Sequence, residues 1–133
     1  VERNVISKID KCTFNNMNQL TDLHLNNNNL HELDENLFSN LTYLRRLFLN
    51  DNFIHSISSN CFRGNKMIQE INLNNNLIQK LNGSLNNLLF LDKVYLSNLK
   101  LKRLSSNDFL NLPKLIYLEL DYNYNINLSD TPI

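Results

Sequence analysis

Three histidines, two cysteines and 13 aspartates and glutamates are the side chains that could ligate a metal or serve as nucleophile or general base. Their spacing does not converge on a constellation. His31 and His55 fall at matching points of a 24-residue period, so they could stack about one strand spacing (~4.8 Å) apart. No third ligand accompanies them, so two solvated imidazoles are the default reading and no metal site is assigned. Cys12 and Cys61 lie two periods apart, on the order of 10 Å between Cα atoms and beyond the ~7 Å reach of a disulfide. Free thiols are expected, or for Cys12 a partner upstream of Val1. Neither thiol has a flanking basic cluster to activate it. The residues therefore imply no catalysis, no metal and no cofactor.

Three N-x-S/T triplets, at Asn40, Asn82 and Asn127, are formal glycosylation acceptors. With 27 asparagines and 14 serines and threonines in 133 residues, chance alone supplies about three. They carry no weight for a secreted location.

What must position any binding residue is a repeat. Leu20, Leu23, Leu25, Asn28, Leu30, Leu33, Phe38 and Leu41 recur 24 residues later as Leu44, Leu47, Leu49, Asn52, Ile54, Ile57, Phe62 and Asn65. They recur again as Ile68, Ile71, Leu73, Asn76, Ile78 and Leu81. After a one-residue slip the pattern continues through Leu91, Val94, Leu96, Leu99, Leu101, Leu104, Phe109 and Leu112, then Leu115, Leu118, Leu120, Asn123 and Leu128. Backward it reaches Asn4, Ile6, Ile9, Phe14 and Met17.

The segments LTDLHLNNNNL (20–30), LRRLFLNDNFI (44–54) and IQEINLNNNLI (68–78) resemble the leucine-rich repeat family, whose unit reads L-x-x-L-x-L-x-x-N-x-L. The 24-residue length, with a phenylalanine 18 positions after the first leucine, is similar to the subclass of extracellular receptors and matrix proteins, Toll-type ectodomains among them. The resemblance implies an α/β solenoid: a right-handed horseshoe with a concave parallel β-sheet and an irregular, 3-10 or short helical convex side. It also implies a single domain over 1–133, with about five repeats starting near Leu20, Leu44, Ile68, Leu91 and Leu115 and partial units at both ends.

The x-L-x-L-x stretch alternates apolar and polar, as a half-buried strand must. One such strand cannot bury its leucines alone, so identical units stack. A crossover between parallel strands is overwhelmingly right-handed. Phe14, Phe38, Phe62 and Phe109 should form an internal column, interrupted by Leu85. Asn4, Asn28, Asn52, Asn76 and Asn123 sit where the chain turns off the strand, and their amides can satisfy backbone groups otherwise buried and unpaired. Leu99 fills that slot in the fourth unit, so the ladder should break there. Asn65 in an apolar column and the deletion around Asn82, Gly83 and Ser84 are further departures. Val1 falls mid-repeat without a cysteine-rich cap, so a piece of a longer protein is expected.

Composition narrows the function. Thirteen basic against 13 acidic residues, with zero net charge, argue against a nucleic-acid partner, which needs a basic footprint. No run approaches the ~20 apolar residues of a membrane span. A polar tract at 26–29 raises the prospect of low complexity, but 42% hydrophobic residues are too many for a disordered chain.

The concave sheet remains. Outward positions include Arg45, Arg46, Phe48, Glu70, Asn72, Lys93, Tyr95, Tyr117, Glu119 and Tyr122, and aromatics there sit on a face that core packing leaves to solvent. Asn26, Asn27, Asn50, Asn72, Asn74, Asn75 and Asn98 are placed on the same face. Asp22, Arg46, Glu70 and Lys93 alternate in sign and should form a cross-strand ion-pair ladder. Lys100, Lys102 and Arg103 read as a solvated edge. The expectation is a non-catalytic module binding a protein ligand on its concave face, in an extracellular or cell-surface protein. The alternatives are a cytoplasmic scaffold and the substrate-recruiting part of a larger enzyme.

Overall fold

The structure, a computed structural model, describes residues 4–128. Nine short strands follow one another among the described residues: β1 (Asp22–His24), β2 (Glu32–Leu33), β3 (Arg46–Phe48), β4 (Ser56–Ile57), β5 (Glu70–Asn72), β6 (Lys93–Tyr95), β7 (Arg103–Leu104), β8 (Tyr117–Glu119) and β9 (Asn127–Leu128). Strands β1, β3, β5, β6 and β8 form one five-stranded parallel sheet in chain order, one strand per turn of a solenoid. The pairs β2–β4 and β7–β9 add short parallel contacts on the return path. One 3-10 turn, Ser106–Asp108, is the only helical element among the described residues. The α part of the expected α/β architecture is thus reduced to that single turn.

The alternation Leu-polar-Leu dictates which way each strand faces. Leu47, Ile71 and Val94 are paired in register and fully buried, and so are Leu49, Leu73 and Leu96 beyond them. Burying one such side chain stabilises by roughly 1.5–3 kcal/mol, which only the neighbouring turn makes available. Leu44, Ile68 and Leu91 are likewise buried, whereas Leu20 and Leu115 in the flanking units are only partly covered. Behind the sheet Phe38 stacks on Phe62 with ring centroids 6.0 Å apart, and Phe14 meets Phe38 at 5.8 Å with its ring tilted by 34°. Leu85 continues the column fully buried, and Phe109 packs against its end.

Left-handed backbone punctuates every turn. Asn27, Asp51, Asn75, Asn98 and Tyr122 have φ of 58, 59, 58, 52 and 58°. Each immediately precedes the slot of Asn28, Asn52, Asn76, Leu99 or Asn123. Asn27, Asn75, Asn98 and Tyr122, expected as outward residues of the concave face, are therefore the sharp turn at its exit. Asparagine and aspartate visit this region more readily than other residues with a Cβ. The one-residue slip is absorbed on the return path, where consecutive residues Asn82 and Gly83 have φ of 55 and 66°, while Glu70 and Lys93 stay paired in the sheet.

Candidate binding surface

The turn that ends each strand also fixes the edge of the exposed face. Asn52 Nδ2 donates to the carbonyls of Leu49 in its own unit (3.0 Å) and Leu25 in the preceding one (2.9 Å). Its Oδ1 accepts from Leu30 N at 3.0 Å. Asn76 repeats this with Leu73, Leu49 and Ile54 N, and Asn123 with Leu120, Leu96 and Leu99 N. Asn28 bonds Leu25 O and accepts from Ile6 N. Asn4 is exposed, and the carbonyl it would hold, that of Val1, lies outside the described residues. Leu99, buried, offers no acceptor to the Ile78 N–H, so one rung of the pattern is absent there.

Two further amide features were not read from the sequence. Asn65, fully buried, donates to Phe38 O (2.7 Å) and Leu41 O (3.0 Å), holding the return path of one unit to the next. A lone polar residue in an apolar column was its only signal. At the rim of the sheet Asn75 Nδ2 donates to Asp51 Oδ1 and Asn98 Nδ2 to Asn75 Oδ1, an inter-unit chain along the left-handed turns.

Outward residues line up in two columns. The first is Asp22, Arg46, Glu70, Lys93 and Tyr117; the second is His24, Phe48, Asn72, Tyr95 and Glu119. Arg45 lies just before β3, exposed. The expected four-residue ion ladder reduces to one rung: among the described residues only Arg46 and Asp22 form an ion pair. Arg46, hydrogen-bonded to Asp22, holds that carboxyl below its ordinary value, with Thr21 adding to the effect. Glu70 and Lys93 are register partners whose charged ends do not meet. Long side chains in water gain little from pairing, so only the best-placed pair closes.

The aromatics gather on the second column, joined by Tyr117 from the first. His24 stacks on Phe48 at 4.6 Å and 18°. Tyr95 and Tyr117 meet at 5.2 Å and 48°. Tyr117 OH donates to Glu119 Oε2 (3.0 Å), and Asn74 Nδ2 to Glu119 Oε1 (3.0 Å). The Glu119 carboxyl is held below its ordinary value, first by the nearby Ser97 hydroxyl and then by Tyr117 and Asn74. The Ser97 hydroxyl is buried and stops short of a well-formed hydrogen bond. Tyr122 stands at the rim, exposed, with its ring 6.2 Å from that of Tyr124.

The remaining candidate groups lie elsewhere. His31 and His55 approach to 6.2 Å, both exposed, and no set of three or more His, Cys, Asp or Glu gathers among the described residues. Cys12 is an exposed and Cys61 a buried free thiol; burial pushes the Cys61 thiol up. Asn40 is exposed and donates to Asn15 Oδ1, and Asn82 donates to Ile57 O. Asn127 lies exposed in β9, while the serine of its triplet falls outside the described residues. No helix among the described residues is long and apolar enough to cross a membrane.

Stacked parallel strands, one per 23- or 24-residue turn, with leucines inside and an asparagine holding the turn, define a leucine-rich repeat domain, a fold that generally serves protein interaction without catalysis. The chain belongs to the family of BspA-type leucine-rich repeat regions, which matches it in six copies over residues 2–125. Among solved structures it is similar to TLR13 in its complex with the single-stranded RNA ssRNA13 (24% identity, TM-score 0.79, 86% of this chain and 17% of that one). It is also similar to Toll in the Toll–Spatzle complex of Drosophila (18%, 0.62, 98% and 23%) and to InlJ of Listeria monocytogenes (21%, 0.55, 94% and 29%). At these identities the likeness is one of fold, and the chain spans less than a third of each. No curated protein matches.

Proposed function

We propose that the domain binds a protein ligand on its concave sheet, by surface complementarity and without covalent chemistry. The observation that carries this reading is the aromatic cluster across the two outward columns, where the His24–Phe48 stack and the Tyr95–Tyr117–Glu119 group face away from the core. Aromatic side chains supply large contact area at low entropic cost and dominate interface energetics. Arg45, Arg46, Asn72 and Lys93 flank them with donors. A nucleic-acid ligand, as in the TLR13 complex, suits this face less, because the chain carries no net positive charge. An extracellular or cell-surface setting is supported by the receptor-type structural neighbours. The free thiols of Cys12 and Cys61 favour a second reading, a cytoplasmic scaffold with the same binding face.

A protein partner isolated from the native source on the immobilised domain provides the test. Phe48→Ala and Tyr95→Ala should each weaken binding by about 2 kcal/mol or more, with the thermal transition retained. Unchanged affinity in both variants would remove the concave site.

A further inference from the structure

The two halves of the concave face differ in charge. Around β1 and β3 the cations Arg45 and Arg46 face Asp22, whose carboxylate Arg46 already engages. Around β5, β6 and β8 the outward charges are Glu70, Asp92, Glu119 and Asp121 against Lys93 alone. Of these, Glu119 is the one whose orientation is set by the surrounding structure. Each carboxylate oxygen accepts one hydrogen bond, from Asn74 Nδ2 and Tyr117 OH, both at 3.0 Å. An ionised carboxylate has about four lone-pair sites, so acceptor capacity remains on both oxygens. No cation among the described residues pairs with it, the Asp22–Arg46 pair being the only ion pair. Beside it stand the tilted rings of Tyr95 and Tyr117, the latter 44% exposed.

We infer that this half of the sheet seats an arginine side chain of the protein partner, its guanidinium on the Glu119 carboxylate and its flat face on the exposed Tyr117 ring, which Tyr95 backs. The inference rests on the concave-face reading and names the chemistry of the partner there. A guanidinium matches the site in three ways. It is planar and stacks on aromatic faces, it donates bidentately to a carboxylate, and it is weakly hydrated for a cation. A lysine would supply charge without the fork. A divalent metal would need several hard oxygens, and one carboxylate with amide and phenol neighbours does not provide them. The surrounding Glu70, Asp92 and Asp121 raise the local attraction for a basic segment. The partner segment should therefore be basic where it crosses β6 and β8, and able to accept hydrogen bonds where it crosses β3.

The probe is a short capped peptide with one arginine among glycines, titrated against the intact domain while the tyrosine ring signals are followed by NMR. Its control is the same peptide with citrulline, which keeps the shape and removes the charge. The arginine peptide should shift the Tyr95 and Tyr117 rings and the citrulline peptide should not. Glu119→Gln should weaken the response about tenfold, whereas Lys66→Ala, exposed on the return side, should leave it unchanged. Because the Glu119 carboxyl lies below its ordinary value of 4.5, the arginine response should persist at pH 5 and fade only below that value. Equal shifts from both peptides, an unchanged response in Glu119→Gln, or silent rings up to the solubility limit would each overturn the assignment. If the rings stay silent while Phe48→Ala and Tyr95→Ala still weaken the protein partner, the concave face stands and only the arginine seat falls. If the partner ignores those variants as well, both fall.

Discussion

An asparagine side chain carries a donor and an acceptor on one short arm, and in a stack of like turns it can brace its own turn while giving to and taking from the preceding unit. Asn52 does both, joining carbonyls of two units to the Leu30 N–H. Replacing it leaves buried backbone groups without partners, so Asn52→Leu should destabilise by about 1–3 kcal/mol, against less than about 0.5 kcal/mol for the outward Asn50→Leu. Equal losses in chemical denaturation would refute the difference in role. Tyr122 is the opposite case: it holds φ +58°, where Asn27, Asp51, Asn75 and Asn98 occupy the same turn. Left-handed backbone disfavours a bulky side chain by about 1 kcal/mol, so Tyr122→Asn should raise the melting temperature. A fall would show that the ring, not the backbone, dominates there. Asn52 was legible in the sequence because it recurs at a fixed offset. Asn65 and the left-handed residues at the strand exits were not, since one exception in a column has no period and asparagine is too common here for any single one to stand out.

Elements in this chain are minimal, strands of two or three residues whose stability comes from the neighbouring turn. Their order, their register and the residues facing outward within each strand could be read from the leucine period, because a slip of one residue would turn every leucine to solvent. The return path could not, because its short parallel pairs β2–β4 and β7–β9 follow from how closely the turns approach. Gly64 marks that closeness: a Cβ there would stand 2.7 Å from Ser39 Cα and 2.8 Å from Ser39 O, both backbone atoms. Gly64→Ala must push two turns apart and should cost about 1–3 kcal/mol. A stability unchanged within error would mean the turns have slack that the packing does not suggest. The ion ladder failed as an expectation at this scale too, because register brings Cα atoms together without bringing flexible charged ends together.

At the scale of the molecule, a solenoid is a series of near-neighbour interfaces, and its core is reached only by opening them. Cys12 lies exposed and Cys61 fully buried, with burial raising its pKa. A thiol reagent should therefore modify one cysteine at once and the second only on denaturation. Two rapid modifications in the native state would contradict the buried position of Cys61. The central claim concerns the face opposite that core. A photo-reactive benzoylphenylalanine placed at Tyr95 on the sheet, and in a separate variant at Lys66 on the return side, reads directly which face a partner covers. Cross-linking of the protein partner through position 95 and not through position 66 is the predicted result. Cross-linking through position 66 with none at 95 would contradict it.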